Sequence, residues 1–250
     1  MKYLLGRKLQ WYIHDKKLID EEIFGSRKGK TGSEALLSLQ LLADHSRTWK
    51  LNTAVLFNDA DGCYDRVPPT LAEVALRRLG YPKSITKAHT TAQGLMKHNI
   101  KTSTGVSEGY IKFSRFNKKK ISNGVILILT GLIGGVGKGG GVSPIIWMAI
   151  LIILLKAYKK TQKGAKIVDF ITNIAIPMWI ISYVDDNSIV RHFSATASVK
   201  DMLEGMQTNL LEWQKLLQLT GGDLSLGKCQ IIIMNWYQDR EWGILKMRKK

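Results

Sequence analysis

The stretch ISYVDDNSIV, residues 181–190, places two adjacent carboxylates, Asp185 and Asp186, between two runs of β-branched and aromatic residues. Successive residues of a strand point to opposite faces, so an uninterrupted strand would bury at least one of these anions at a high cost. A tight strand–turn–strand removes this cost, because both carboxylates can then reach one polar cleft. The stretch therefore predicts a hairpin with Asp185 and Asp186 at its tip, and a bound cation is a natural reason to gather them there.

A third acidic residue follows another apolar segment. Residues 53–57, TAVLF, predict a strand that runs into an acidic turn containing Asp59. A fold that pairs this strand with the hairpin would bring Asp59, Asp185 and Asp186 together, which is the ligand composition of a magnesium site. Two such ions can hold both the attacking and the leaving oxygen of a phosphoryl displacement. The alternative is that Asp-Asp-Asn forms an ordinary solvated turn, and the residues alone leave both possibilities open.

The charge balance favours a polyanionic partner. The chain has 37 Lys and Arg against 20 Asp and Glu, a formal net charge of +17. Nucleic acid is the first candidate and an anionic membrane surface is the second, whereas a basic surface that only aids solubility is the bland alternative. The basic residues are clustered at residues 27–30, 118–120 and 246–250. This clustering favours a binding track over a uniform basic surface.

The cysteines and the apolar segments indicate an intracellular protein. Cys63 and Cys229 are too few for a disulfide framework or a four-ligand zinc site. The first residues lack the apolar core and cleavage site of a signal peptide. The longest uncharged apolar run, residues 139–155, is too short for a membrane span and contains Pro144. We therefore expect no transmembrane segment, with the choice between nucleus and cytoplasm left open.

Four stretches predict helices. They are residues 33–48, capped by Ser33; 68–82, with proline at the start and glycine at the end; 144–160, capped by Ser143 with Pro144 in the first turn; and a helix that begins at the capping pair Ser198 and Asp201. The apolar face of the last helix is predicted to comprise Leu203, Met206, Leu210, Trp213 and Leu217. With a final strand at about 230–236, the pattern predicts an α+β domain whose helices pack on one face of a largely antiparallel sheet.

Two glycine-rich segments imitate nucleotide-binding loops. GGVGKGGG, residues 134–141, formally satisfies G-x-G-x-x-G, but no acidic residue follows at the distance that a dinucleotide fold requires. GSRKGKT, residues 25–31, is one residue short of a P-loop between its glycines. We reject both interpretations. The glycines still allow the backbone to approach a ligand or another strand closely.

Five segments in sequence order resemble the motifs of reverse transcriptases, most closely those of non-LTR retrotransposons and group II introns. FGSRKGKTGSEALL at 24–37 is similar to the finger motif, with Thr31 in the serine position, and NDADGCYDRVP at 58–68 resembles the first palm motif. GKGGGVSP at 137–144 resembles Q-G-x-x-x-S-P, YVDD at 183–186 is the Y-x-D-D signature, and TGGDLSLGKC at 220–229 resembles G-x-x-L-x-x-x-K. The matching order covers nearly the whole chain.

The resemblance implies a domain organisation. Residues 1–52 would form partial fingers, and residues 53–240 would form a polymerase palm, an antiparallel sheet backed by helices, with a finger-side insertion at about 82–122. Residues 241–250 would be a basic tail, and the thumb would be absent. The chain would then be a fragment of a retroelement reverse transcriptase.

The resemblance also implies roles for individual residues. Asp59, Asp185 and Asp186 would be the catalytic triad that binds two Mg²⁺ ions, and Lys228 would protonate the pyrophosphate leaving group. Tyr64, for which core filling is the better interpretation from the residues alone, would be the steric gate that excludes a 2′-hydroxyl.

The remaining residues implied by the resemblance would contact substrates. Arg27 and Lys30 would contact template or triphosphate. Gly139, Ser143 and Pro144 would shape the wall that faces the nascent base pair. Lys138 stands where the family usually has glutamine. Lysine keeps hydrogen-bond donors at this position but lacks the acceptor that glutamine has.

The expected function is RNA-templated DNA synthesis on a primer-template duplex, with deoxynucleoside triphosphates as substrates and magnesium as cofactor. The chain would then be an RNA-directed DNA polymerase, a nucleotidyltransferase, with no membrane partner. One alternative is a catalytically inactive, basic nucleic-acid-binding remnant, which Lys138 and the missing fingers and thumb motivate. A second alternative is an RNA-dependent RNA polymerase, against which Tyr64 argues.

Overall fold

The structure of the chain is a computed structural model that describes residues 2–61, 64, 66–94, 101–102, 105–106, 142–238 and 245–247. Lys138, Gly139, Cys63 and the basic run at 118–120 lie outside these residues, and so does the apolar segment at 124–135 that resembles a strand or hairpin.

Helices and short strands alternate along the chain. In order, the elements are α1 (Lys2–Asp15), α2 (Gly32–Thr48), β1 (Asn52–Asp61), α3 (Pro69–Arg78), α4 (Lys83–Gly94), β2 (Lys101–Thr102), β3 (Gly105–Val106), α5 (Ser143–Thr161), β4 (Ala165–Val168), β5 (Ala175–Met178), β6 (Ile180–Tyr183), β7 (Asp186–Phe193), α6 (Val199–Gln218), β8 (Asp223–Leu224), a 3₁₀ turn (Leu226–Lys228), β9 (Gln230–Met234), β10 (Trp236–Gln238) and β11 (Leu245–Met247).

The central sheet is antiparallel and is built around β1. Its strands follow the order β6–β7–β1–β8, and β9 also pairs with β1. The ladder between β1 and β7 runs from Asn52↔Phe193 to Asp59↔Asp186. The prediction that this strand ends at residue 57 was wrong, because pairing with β7 and β8 extends β1 through the acidic stretch to Asp61. Asp59 therefore lies within a strand rather than in a turn.

Both faces of the sheet are covered. On one face, Ala54 and Leu56 of β1 belong to the main hydrophobic core, to which α1, α3, α5 and α6 contribute. On the other face, Val55 packs in a second core with Leu42 of α2 and Met178 of β5. The prediction of helices on one face only was therefore wrong. The continuous apolar run TAVLF is typical of a strand that is buried on both faces.

Two of the predicted helix caps were wrong. The N-cap of α2 is Thr31, which forms a capping box with Glu34, so Ser33 lies inside the helix. Ser143 is the first residue of α5 rather than its cap, whereas Pro144 occupies the first turn as predicted. The predicted capping pair Ser198 and Asp201 is present at the start of α6.

The buried stripe of α6 confirms Met206, Trp213 and Leu217 of the predicted face and differs from it at two positions. It consists of Met202, Met206, Asn209, Trp213 and Leu217. Leu203, which was predicted to be in the core, is 43% exposed. The predicted last strand is also shorter, since β9 ends at Met234 and β10 begins at Trp236. Within the described ranges, no helix is long and apolar enough to cross a membrane.

Candidate active site

The acidic hairpin forms as the sequence predicts, with one difference. Strands β6 and β7 pair from Ile180↔Ile189 to Tyr183↔Asp186. The turn between them consists of Val184 and Asp185, and Asp186 is the first residue of β7. Asp186 therefore follows the tip instead of sharing it with Asp185.

Asp59 and Asp186 lie directly opposite each other across the central ladder. Their Cα atoms are paired, and Asp186 is also paired with Tyr183 of β6. Residues in direct register across antiparallel strands have Cβ atoms about 4.5–5.5 Å apart on the same face. The backbone N–H of Ala60 donates to the carbonyl of Asp185 at 3.2 Å, which joins β1 to the turn. The sheet thus brings the two carboxylates together and holds the third beside them.

The three carboxylates line one cleft of about 630 Å³. The sheet supplies these polar residues, together with Tyr183, while Ala35, Leu36 and Leu39 of α2 form an apolar wall. Lys228, from the 3₁₀ turn before β9, also lines the cleft. Four residues that the sequence assigns to catalysis or metal binding, Asp59, Asp185, Asp186 and Lys228, therefore share one concave surface.

The electrostatics of the cleft are set by one ion pair and by the negative charges of the three neighbouring carboxylates. Lys228 Nζ lies 2.5 Å from Asp59 Oδ2, and this carboxylate raises the pKa of Lys228. Partial burial raises the pKa of Asp186, and the neighbouring negative charges of Asp185 and Asp59 raise it further, while Lys228 opposes the shift. Perturbed carboxyl pKa values in a cleft are a feature of functional sites.

The carboxylates are gathered but do not form a closed metal cage. Within the described part of the chain, no group of three or more His, Cys, Asp or Glu residues is arranged to hold a metal ion. The ammonium group of Lys228 occupies an oxygen of Asp59, which is one of the predicted ligands. The donor chemistry still suits a hard divalent cation, because such ions take carboxylate oxygens. Lys228 would compete with the ion for Asp59 Oδ2.

Arg27 and Lys30, the predicted contacts to template or triphosphate, are paired with acidic side chains. Arg27 donates two hydrogen bonds to Glu21, at 3.0 and 2.8 Å, and its side chain is 15% exposed. Lys30 Nζ lies 3.4 Å from Glu34 and 5.6 Å from the ring centroid of Phe24. The acidic partners would compete with an anionic ligand for both side chains.

Tyr64, Ser143 and Pro144 are not among the described residues that line the cleft. Tyr64 is half-buried against the main core, with its ring centroid 6.4 Å from that of Trp147. Ser143 is 2% exposed at the start of α5, beside Pro144. The roles of all three in substrate binding stay predictions, as do those of Lys138 and Gly139, which lie outside the described residues.

Three residues around the turn were not singled out by the sequence. Val184 has φ +62°, a left-handed conformation that is rare for a β-branched residue. The indole Nε1 of Trp147 donates to the carbonyl of Val184 at 2.7 Å. A Cβ atom at Gly25 would lie 2.2 Å from the Val184 nitrogen. Gly25 lies in the segment that resembles the finger motif, but nothing in that segment indicates its contact with Val184, and no sequence signal links Trp147 to the turn.

Solved structures of telomerase share the fold of this chain. Telomerase from Candida tropicalis in complex with a TWJ fragment of telomeric RNA matches with a TM-score of 0.58 and 15% identity, over 92% of this chain and 33% of that chain. Telomerase from Candida albicans in complex with a TWJ fragment matches with a TM-score of 0.55 and 12% identity, over 91% and 34%. Apo telomerase from Candida tropicalis truncated from its C-terminal domain gives 0.54 and 14%, over 98% and 45%.

These likenesses show the fold. Telomerase is a reverse transcriptase, so the chain has a reverse-transcriptase-like fold of mixed helices and antiparallel sheet. The chain spans about a third of the length of the two RNA-bound telomerases. No family model and no curated protein matches the sequence.

Proposed function

We propose that this chain is the palm-centred part of a reverse transcriptase that carries out RNA-templated DNA synthesis. The observation that carries the proposal is the convergence of Asp59, Asp185 and Asp186 on one cleft at the end of the sheet. The order of the five sequence motifs supports assignment to the non-LTR retrotransposon or group II intron type.

In this proposal the three carboxylates would hold two Mg²⁺ ions, which would supply neutralisation of the negative charge that develops during phosphoryl transfer. Lys228 forms an ion pair with Asp59, and this carboxylate raises the pKa of the ammonium group. Donation of a proton from Lys228 to a departing pyrophosphate would require release from Asp59, because the pairing raises the pKa of Lys228 and makes its ammonium group a weaker acid. Residues of α2 make one side of the cleft apolar.

A nucleic-acid partner is supported by charge as well as by fold. The net charge of +17 provides the electrostatic attraction for a polyanionic duplex. Two of the structurally similar telomerases were solved with an RNA fragment. We propose an RNA template annealed to a DNA primer as the bound species.

Primer extension by the purified chain tests the proposal. We expect incorporation of deoxynucleotides on an RNA template with Mg²⁺, and a loss of at least about 100-fold in Asp185→Asn. Asp61→Asn is the matched control, because Asp61 lies on β1 in an exposed ion pair with Arg66 and is not among the residues that line the cleft. The control should keep most of the activity. Absence of incorporation by the wild-type chain at every Mg²⁺ concentration would refute the proposal for this chain.

The Lys228–Asp59 ion pair favours one other function, that of an inactive nucleic-acid-binding domain. If Lys228 permanently replaces a cation, the fold would bind a duplex through its basic surface without synthesis. Salt-dependent duplex binding that is unchanged in Asp185→Asn, combined with no incorporation, would support this second function.

A further inference from the structure

The turn that presents the carboxylates is held in an unfavourable conformation. Among the described non-glycine residues with positive φ, Val184 (φ +62°) is the one with a β-branched side chain. Its Cβ substituents crowd the following carbonyl in this region, so the conformation persists only where surrounding contacts impose it. The contacts around Val184 therefore decide the direction in which the next residue, Asp185, points.

Two contacts constrain Val184, one from α5 and one from the segment before α2. Trp147, which is 1% exposed on α5, donates from Nε1 to the Val184 carbonyl at 2.7 Å. The backbone of Gly25 lies so close to the Val184 nitrogen that a Cβ atom would come within 2.2 Å of it. Of these two contacts, the one from Trp147 is a hydrogen bond and therefore directional, whereas the one from Gly25 is a close steric approach.

The second half of the turn is held by hydrogen bonds to the carbonyl of Asp185, the residue that the Val184–Asp185 peptide also positions. The carbonyl of Asp185 accepts hydrogen bonds from the backbone N–H of Ala60, at 3.2 Å, and from Asn187 Nδ2, at 2.9 Å. The peptide that joins Val184 to Asp185 is therefore held by Trp147 at its carbonyl, and the next peptide is held by β1 and β7. Loss of the indole bond would free the first peptide to rotate towards a relaxed conformation.

We propose that Trp147 is a positioning residue, whose indole N–H holds the Val184–Asp185 peptide and thereby directs the Asp185 carboxylate into the cleft that contains Asp59 and Asp186. The proposal concerns the same site as the proposed function and rests on it for its catalytic consequence. Its structural consequence, the order of the turn, is independent of any activity.

The hydrogen bond is not a simple requirement of burying a tryptophan. Buried indole N–H groups usually find a partner. Trp213 is also 1% exposed and belongs to the same core, yet within the described part of the chain its Nε1 has no hydrogen-bond partner. This core accommodates a tryptophan without satisfying its N–H. Trp213→Phe is therefore a control that matches the ring burial of Trp147→Phe and leaves the turn intact.

Hydrogen exchange tests the structural consequence. In Trp147→Phe we expect the amide of Ala60, which donates to the turn, to exchange about tenfold faster, equivalent to about 1.4 kcal/mol. In Trp213→Phe the exchange rate of the Ala60 amide should match that of the wild type once any change in the global unfolding free energy has been taken into account. Equal effects of the two substitutions would overturn the proposal.

Steady-state kinetics of primer extension test the catalytic consequence. Trp147→Phe should lower kcat about tenfold with less than about a threefold change in KM for the deoxynucleotide, because the carboxylates act on the transition state. Glycine adopts φ +62° without strain, so in a Val184→Gly background the same substitution should lower kcat only about twofold. An unchanged tenfold loss in that background would overturn the proposal.

The two measurements separate this inference from the proposed function. If the wild-type chain makes no DNA but Ala60 exchanges faster in Trp147→Phe alone, the proposed function fails and the positioning role stands. If the wild-type chain makes DNA and both tryptophan variants behave alike in exchange and in kcat, the positioning role fails and the proposed function stands.

Discussion

Replacement of Lys159 by methionine tests how the segment before α2 is held beside the candidate site. Glu22 is 6% exposed and forms an ion pair with Lys159, and its carboxylate accepts hydrogen bonds from the backbone N–H groups of Trp179 and Ile180. Lys159 Nζ also lies 3.1 Å from Asp20 and 5.2 Å from the ring centroid of Trp179. The pair therefore joins this segment to α5 and to the start of β6.

The expected loss of stability follows from the burial of the pair. Methionine keeps much of the length of the lysine side chain and removes its charge, so Glu22 would stay buried without its cation. Removing one partner of a buried pair costs about 3–5 kcal/mol. We expect the lower value, about 3 kcal/mol, because two backbone N–H groups still donate to Glu22. For a chain of this size, that loss lowers Tm by about 6–12 °C.

The deficit should depend on pH in a defined direction. Burial raises the pKa of Glu22 in the folded chain above the usual value of 4.5, and Lys159 opposes this shift. Without Lys159 the folded-state pKa rises further, so the folded variant retains a proton that the unfolded chain has already released. Its stability therefore falls relative to wild type as pH rises above about 4.5, and the deficit levels off above the folded-state pKa. The deficit should be smaller at pH 5 than at pH 8.

Urea-induced unfolding at these two pH values measures the effect. Lys160→Met is the matched control, since Lys160 is the next residue on α5 and is exposed. Its unfolding free energy should change by less than about 0.5 kcal/mol. The reasoning is refuted if the two variants lose the same stability, or if the loss in Lys159→Met is identical at pH 5 and pH 8.

Three further predictions concern other parts of the fold. Gly25→Ala places a Cβ atom against the Val184 nitrogen and should lower the unfolding free energy in urea by about 1–3 kcal/mol. Gly227→Ala is the control, because no atom lies within 4 Å of its Cβ position, and it should lower the unfolding free energy by less than about 0.5 kcal/mol. Equal losses in the two variants would contradict this prediction. Burial lowers the pKa of His192 from 6.5 to about 4, and the neighbouring His45 and Lys166 contribute to this shift. Between these two pH values the unfolded chain binds a proton that the folded chain does not, so the stability of the fold decreases as pH drops from 6.5 towards 4. His192→Gln should remove about 1 kcal/mol of the stability difference between pH 8 and pH 5, after allowance for solvent screening, and an unchanged difference would count against it. Ser198→Ala removes the N-cap of α6 and should cost about 1 kcal/mol in urea unfolding, while a neutral result would show that Asp201 caps the helix alone.

The local patterns of the sequence predicted the hairpin and its partner strand because those signals lie within short segments. Apolar runs on each side of Asp185 and before Asp59 are enough to indicate strands. The end of β1 was misjudged, since Asn58, Asp59 and Asp61 are typical turn residues. Pairing with β7 and β8 overrides that local preference, and neither partner is visible from the segment itself.

The errors in helix phase and sheet coverage have a different cause. In α6 both Met202 and Leu203 are compatible with an apolar stripe, and the packing of the helix against the sheet decides that Met202 is buried while Leu203 is 43% exposed. The contacts of the turn could not be predicted from the sequence either. Trp147 and Gly25 meet Val184 across 37 and 159 residues of sequence, and the φ angle of Val184 is a result of that packing.

The energetics of the turn bear on whether Asp185 and Asp186 form an ordinary solvated turn, the alternative that the sequence left open. Asp186 carries a raised pKa because partial burial and two like charges oppose its ionisation, and Val184 adopts a strained backbone conformation. Behind the carboxylates, within the described part of the chain, Asn58 Oδ1 and Nδ2, Asn187 Oδ1 and Ser182 Oγ are buried without hydrogen-bond partners. Each of these features is unfavourable to folding, and a turn that only had to contact water would need none of them. Their concentration at one end of the sheet favours a site that is kept for its chemistry.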